Sequence, residues 1–156
     1  MPMTNWLSHE QQEVWRAWLS ATSLLPDQLG RDLQRDSGLT IPDYEILVKL
    51  SEATDQKIRM SDLAERTLSS RSRLSHQIDR MEKSGFVVRE ECPDDRRGSF
   101  AVLTAEGKKL LVSAAPAHVE SVRRHLVDVL TPEEFESLGN ACTKVSNHLK
   151  SLTLNN

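Results

Sequence analysis

The stretch from Arg59 to Leu111, RMSDLAERTLSSRSRLSHQIDRMEKSGFVVREECPDDRRGSFAVLTAEGKKLL, decides the fold. Ser61-Asp62 predicts the start of a short helix through Arg66 whose inward residues are Leu63 and Ala64. Ser69-Ser70 then offers a capping hydroxyl, and Leu74, Ile78 and Met81 follow at i, i+4 and i+7. That spacing predicts a helix from about Arg71 to Lys83, ended by Ser84-Gly85, where glycine suits the left-handed C-cap. Beyond it the period changes. Phe86-Val87-Val88-Arg89-Glu90 and Phe100-Ala101-Val102-Leu103 are short β-rich runs flanking a charged turn from Cys92 to Ser99, with Ile58 a candidate for one more very short strand. Two short helices, a tight turn and a hairpin in succession make a winged helix-turn-helix, whose second helix enters the major groove of DNA.

The flanks read as helices. From Glu10 to Arg35 the residues Val14, Trp15, Trp18, Leu25, Leu29 and Leu33 form an apolar stripe, and Pro26 predicts a kink or break near Leu24. Thr40-Ile41-Pro42-Asp43 opens a second helix over about 43–53, followed by a polar connection. On the other side Thr104 caps a helix carrying Leu110, Leu111, Val119, Val122 and Leu126, with Pro116 as a further kink. Thr131-Pro132-Glu133-Glu134 is a capping box before a last helix striped by Leu138, Cys142, Val145, Leu149 and Leu152. The expected fold is mostly α with a small β-hairpin wing. One subunit of 156 residues would hold a winged helix-turn-helix at 40–107 between helical regions at 6–36 and 108–154.

Composition narrows the function classes. Apolar residues at 38% and charged residues at 28% describe a soluble globular chain, and no uncharged apolar run approaches a membrane span. The N-terminus MPMTNWLSHEQQEVW has neither a basic leader nor an apolar signal core, so a cytoplasmic location is expected. The net charge of −3 hides a local contrast: Lys57 to Ser99 carries ten basic and eight acidic side chains, +2, which leaves −5 for the rest. Cys92 and Cys142 fit no disulfide scaffold or zinc finger. His118 and His125, seven apart, lack a third ligand, so neither a metal nor a cofactor is expected. There is no Gly-rich phosphate loop, nucleophile elbow or HExxH, which argues against an enzyme.

With Leu74, Ile78 and Met81 inward, the opposite face and leading turn of the fourth helix present Ser70, Arg71, Ser72, Arg73, Ser75, His76, Gln77 and Arg80. Arginine bonds guanine O6 and N7 in bidentate fashion, serines suit phosphate oxygens, and His or Gln reads base edges. No acid precedes Asp79 on this helix, so nothing at its leading edge repels phosphate. At the hairpin tip Arg96 and Arg97 are candidates for a narrow minor groove, with Asp94 and Asp95 beside them to fix arginine geometry by pairing. The bland alternative for such a charge run is a solvated turn. The rival function is a winged helix used as a protein-interaction module without sequence-specific DNA binding. Its exposed helix face would be apolar or acidic, and here it carries Arg71, Arg73, His76 and Arg80.

The whole stretch resembles the MarR family of bacterial transcriptional regulators. It has the LAE helix, the hydroxyl-rich helix ending in D-R, the G-hydrophobic-V step, the D-R-R wing and the V-x-L-T-x-x-G exit in that order. The resemblance is specific over about 58–107 and looser on the flanks. It implies a homodimer joined through its first, fifth and sixth helices, two winged domains on a palindromic operator, and repression of transcription. By position Ser70, Arg71, Ser72, Arg73, Ser75 and His76 fall on the recognition helix, Arg97 on the minor-groove arginine and Asp95 on the acid that holds the wing. His76 stands where many members carry arginine, and Pro26 falls in a helix that is usually continuous.

Family members often release DNA when a small aromatic or phenolic ligand binds between the DNA-binding and dimerisation regions. Trp15, Trp18, Tyr44 and His118 are the candidates to line such a site, against the ordinary reading of aromatic residues as core. Some relatives sense peroxide through a thiol near the N-terminus, which this chain lacks. Cys92 lies next to Glu91, whose charge opposes a thiolate, so no redox role is expected of it.

Overall fold

The computed structural model describes residues 3–154. The elements are α1 His9–Ser37, α2 Ile41–Glu52, β1 Lys57–Arg59, α3 Met60–Arg66, α4 Arg71–Lys83, β2 Val87–Cys92, β3 Asp95–Leu103, α5 Ala105–His125 and α6 Pro132–Leu154. Single 3₁₀ turns at Thr54–Gln56 and Val127–Val129 join α2 to β1 and α5 to α6. The strands form one antiparallel sheet in the order β1-β3-β2. Residues through His118 make one compact unit and those from Val119 onward a second.

Most helix boundaries have a local cause. Ser8 and Gln11 close a capping box at the start of α1, and Gly38, with φ +71°, ends it in the left-handed conformation that glycine adopts without penalty. Pro26 lies inside α1, and the break expected near Leu24 does not occur. Proline removes one backbone donor, and a helix of 29 residues capped at both ends carries that loss. Helix α2 starts at Ile41, with the Thr40 hydroxyl accepting from the Asp43 amide at 3.3 Å. Helix α3 starts one residue earlier than its Ser61-Asp62 signal, and its N-cap, Arg59, makes no side-chain cap bond. Thr131 and Glu134 form the reciprocal capping box at the head of α6.

The core of the first unit is built by α2, α3, α4 and one face of the sheet. Leu47, Leu50, Leu63, Leu74, Ile78 and Val87 are essentially inaccessible to water, with Ile58, Ala101 and Leu103 closing the sheet side. Strand alternation leaves Lys57, Arg59, Val88 and Phe100 on the other face, where both cations lie over the Phe100 ring at 5.0 and 5.6 Å. The wing is tighter than its sequence predicts. Only Pro93 and Asp94 lie in the turn, because Cys92 pairs with Asp95. The register shifts between Glu91 and Cys92, so Arg96, Arg97 and Gly98 bulge out of the ladder before Ser99 rejoins it opposite Glu91.

The wing is tied to α5 at one crowded point. The Thr104 hydroxyl donates to the Gly85 carbonyl at 2.7 Å and accepts from the Gly107 amide at 3.0 Å. A Cβ on Gly107 would lie 2.2 Å from the Phe86 carbonyl oxygen. Gly107→Ala is therefore expected to destabilise the protein by about 2–3 kcal/mol through overpacking against backbone, read as a lowered urea midpoint.

Candidate DNA-binding surface

Rotation of α4 about its axis is set by Leu74, Ile78 and Met81, all buried. On the outside stand Ser70, Arg71, Ser72, Arg73, His76 and Arg80, all exposed. Ser70 also caps the helix, its Oγ accepting from the Arg73 amide at 3.2 Å. Two polar stripes flank the apolar one. Arg73, Gln77 and Arg80 face α2, whereas Ser75, Asp79 and Glu82 face the wing. Gln77 does not belong to the outer face: it is buried and donates to Asp43 Oδ1 at 2.9 Å, and Arg80 Nη2 lies 3.9 Å from the same oxygen.

At the wing Arg96 and Arg97 are exposed, and no carboxylate pairs with either guanidinium among the described residues. Asp95 acts differently from the arginine partner expected of it. Its Oδ1 accepts from the Arg97 backbone amide at 3.0 Å, which shapes the bend and leaves the guanidinium free of it. Cys92 is buried beneath the bend, against Gly98. Between α4 and the wing lies a cleft of about 480 Å³ whose walls include Arg71, Ser75, Arg89, Asp95 and Arg97. A second cleft of about 630 Å³ on the α2 side includes Arg73, His76, Arg80 and Leu68. Leu68, in the turn between α3 and α4, has φ +52° and is 83% exposed.

Arg89 is the residue that motif reading overlooked. Its Nη1 lies 2.7 Å from Asp79 and 3.0 Å from Glu82, and its Nη2 donates to the Ser75 carbonyl at 3.1 Å and hydroxyl at 3.3 Å. A signal existed: Arg89 is two residues after the buried Val87, so period 2 aims it inward, toward α4.

The four aromatic candidates separate. Tyr44 on α2 and His118 on α5 are half-buried with ring centroids 4.4 Å apart, whereas Trp15 and Trp18 on α1 are 51% and 41% exposed. His118 Nδ1 is buried and has no hydrogen-bond partner among the described residues. Burial holds this imidazole below its usual pKa and the Tyr44 phenol above its own. No group of three His, Cys, Asp or Glu side chains able to hold a metal occurs among the described residues, and none of their helices is long and apolar enough to cross a membrane.

A histidine with a depressed folded pKa contributes stability that is complete above its unfolded value, about 6.5, and that is lost as pH falls toward the folded one. Wild type should lose melting temperature between about pH 7.5 and pH 5 more steeply than His118→Phe, measured side by side at both pH values. Equal slopes would mean that the imidazole is as free to protonate in the folded chain as in the unfolded one.

The fold recurs in known proteins. The profile of the MarR family matches residues 39–99, from just before α2 into β3. The transcriptional regulator HosA of Escherichia coli O111:H- is 34% identical over 109 residues, 70% of this chain and 78% of HosA. AbsC, a MarR family transcriptional regulator from Streptomyces coelicolor, superposes with a TM-score of 0.90 at 51% identity, over 95% of this chain and 99% of AbsC. Sco3205 of the same organism and family, solved in complex with DNA, gives 0.91 at 47% identity, over 94% and 92% of the two chains. With a winged helix-turn-helix of this geometry, and with identities sustained over most of each chain, the protein belongs to the MarR family of transcriptional regulators.

Proposed function

We propose that the protein is a sequence-specific DNA-binding repressor, with α4 in the major groove of each half of a palindromic operator and the wing in the adjacent minor groove. One observation carries this reading. The exposed side of α4 and the wing bulge present Arg71, Arg73, Arg96 and Arg97 with no carboxylate paired to any of them among the described residues, so each guanidinium is available to phosphate or base. That Sco3205, 47% identical, is solved with DNA supports it. In this reading Arg71, Arg73 and His76 address base edges, Ser70, Ser72 and Ser75 address phosphates, Arg80 extends the cationic rim, and Arg96 and Arg97 enter the minor groove on a bend shaped by Asp95.

The apolar surface that each terminal helix exposes supports a homodimer. Val14, Trp15, Trp18 and Leu19 on α1 are 41–71% exposed, and Val145 and Leu152 on α6 are about half exposed. Such surface suits burial by a second copy, and a twofold dimer matches a palindrome. The half-buried Tyr44–His118 pair, with its unpartnered Nδ1, is the place where a phenolic ligand would dock and release DNA.

Selection of bound sequences from random duplexes should enrich a palindrome with half-sites about one helical turn apart. Transcription in vitro from a promoter overlapping it should fall on adding the protein and recover with a phenolic acid. Weak binding that is wholly salt-driven, without enrichment, would instead favour a protein-interaction module. On the selected site Arg73→Ala should cost ~1–3 kcal/mol and relax base preference, while Arg97→Ala should weaken binding more evenly and reduce the salt slope by about one unit. In sedimentation, wild type should run as two copies, and Val14→Glu and Val145→Glu should each shift it toward one, because a buried unpaired charge opposes association.

A further inference from the structure

We infer that Arg89 is a positioning residue that locks the recognition helix to the wing, so that the two DNA-reading elements act as one rigid body. The inference rests on the DNA-binding reading above and adds a residue that does not itself need to touch DNA. Ser75, Asp79 and Glu82 occupy i, i+4 and i+7 of α4 and so form a stripe along its wing-facing flank. Arg89, at the middle of β2, meets all three. One end of its guanidinium lies between the Asp79 and Glu82 carboxylates at 2.7 and 3.0 Å, and the other donates to the Ser75 carbonyl and hydroxyl. Glu82 grips the same residue twice, since its second oxygen accepts from the Arg89 backbone amide at 3.0 Å.

Two consequences matter for DNA. First, the planar fork ties a strand of the wing to the middle of the recognition helix through bonds in two directions at once. Lysine, a point charge with a different reach, cannot reproduce that arrangement. Second, Asp79 and Glu82 are the two carboxylates of α4, and unpaired they would face incoming phosphates. Arg89 holds both, with only a quarter of its side chain exposed, where pairing is less screened than on an open surface. The same contact leaves Ser75 Oγ accepting from Arg89, so its proton is free to be donated outward to a phosphate or a base acceptor.

The test compares wild type with Arg89→Lys and Arg89→Met in two measurements, with melting temperature as the control for folding. In the free protein, amide exchange of the 87–100 segment should be about tenfold faster in both variants, while the 41–52 segment is unchanged. On the selected operator both variants should lose about tenfold in affinity. Binding to random-sequence DNA at low salt should stay within about twofold for Arg89→Lys, which keeps the charge. Asp79→Asn combined with Glu82→Gln should not restore operator binding to Arg89→Met, because the role is geometric as well as electrostatic. Unchanged exchange in the wing, or operator affinity retained by Arg89→Lys, overturns the inference. If wild type itself selects no operator, the DNA-binding reading fails, and the exchange measurement still decides whether Arg89 locks helix to wing.

Discussion

The molecule depends on the burial of one side of α4. Leu74, Ile78 and Met81 are removed from water against the sheet and the neighbouring helices, each contributing roughly 2 kcal/mol of apolar burial. Turning α4 about its axis would drive Arg73 or Asp79 into that core, and an unpaired buried charge costs more than the helix gains from any alternative contact. The outward placement of Arg71, Arg73 and His76 is thus a by-product of hydrophobic packing. Surface electrostatics did not have to select it.

Polar contacts then refine what the core has placed. Asp43 reaches α4 from α2 through Gln77 and Arg80, and Arg89 reaches it from β2 through Ser75, Asp79 and Glu82. Partly exposed polar contacts of this kind add only modestly to stability. Their effect lies in orientation and in charge balance: Asp43, Asp79 and Glu82 are engaged by neighbours, while among the described residues no carboxylate engages Arg71 or Arg73. A chain of net charge −3 can in this way present a cationic face. The wing follows the same logic, since Asp95 spends its oxygen on a backbone amide in the bulge and leaves Arg96 and Arg97 uncommitted.

Among the terminal helices, local rules and long-range packing diverge. Pro26 has the chemistry of a helix breaker, yet α1 runs through it, from a capping box at Ser8 to a left-handed glycine at Gly38. Conversely, Val14, Trp15 and Trp18 of the α1 stripe and Val145, Leu149 and Leu152 of the α6 stripe look like core in sequence and stand exposed in a single chain, whereas Leu33 of α1 is buried. Periodicity reports that a face is to be buried and carries no information on which molecule buries it.

Much of the fold was legible because its signals are local. The apolar spacing of α4, the Gly85 stop, the switch to period 2 at Val87 and the Thr131–Glu134 box each depend on a few neighbouring residues, and the structure shows each where those residues predict it. The exposed arginines were legible for the same reason, as the complement of the buried stripe. Tertiary structure alone decided what involves partners distant in sequence. Gln77 turned inward because Asp43, 34 residues away, meets it. Arg89 became the tie between helix and wing because chain reversal at Gly85 brings β2 back along α4. Asp95 bonded an amide in place of a guanidinium because the hairpin tightened to a two-residue turn with a bulge behind it. Helix periods and caps are written in nearest-neighbour chemistry, whereas the pairing of one polar side chain with another depends on which surfaces the collapse of the core brings within 3 Å, and no stretch of sequence encodes that by itself.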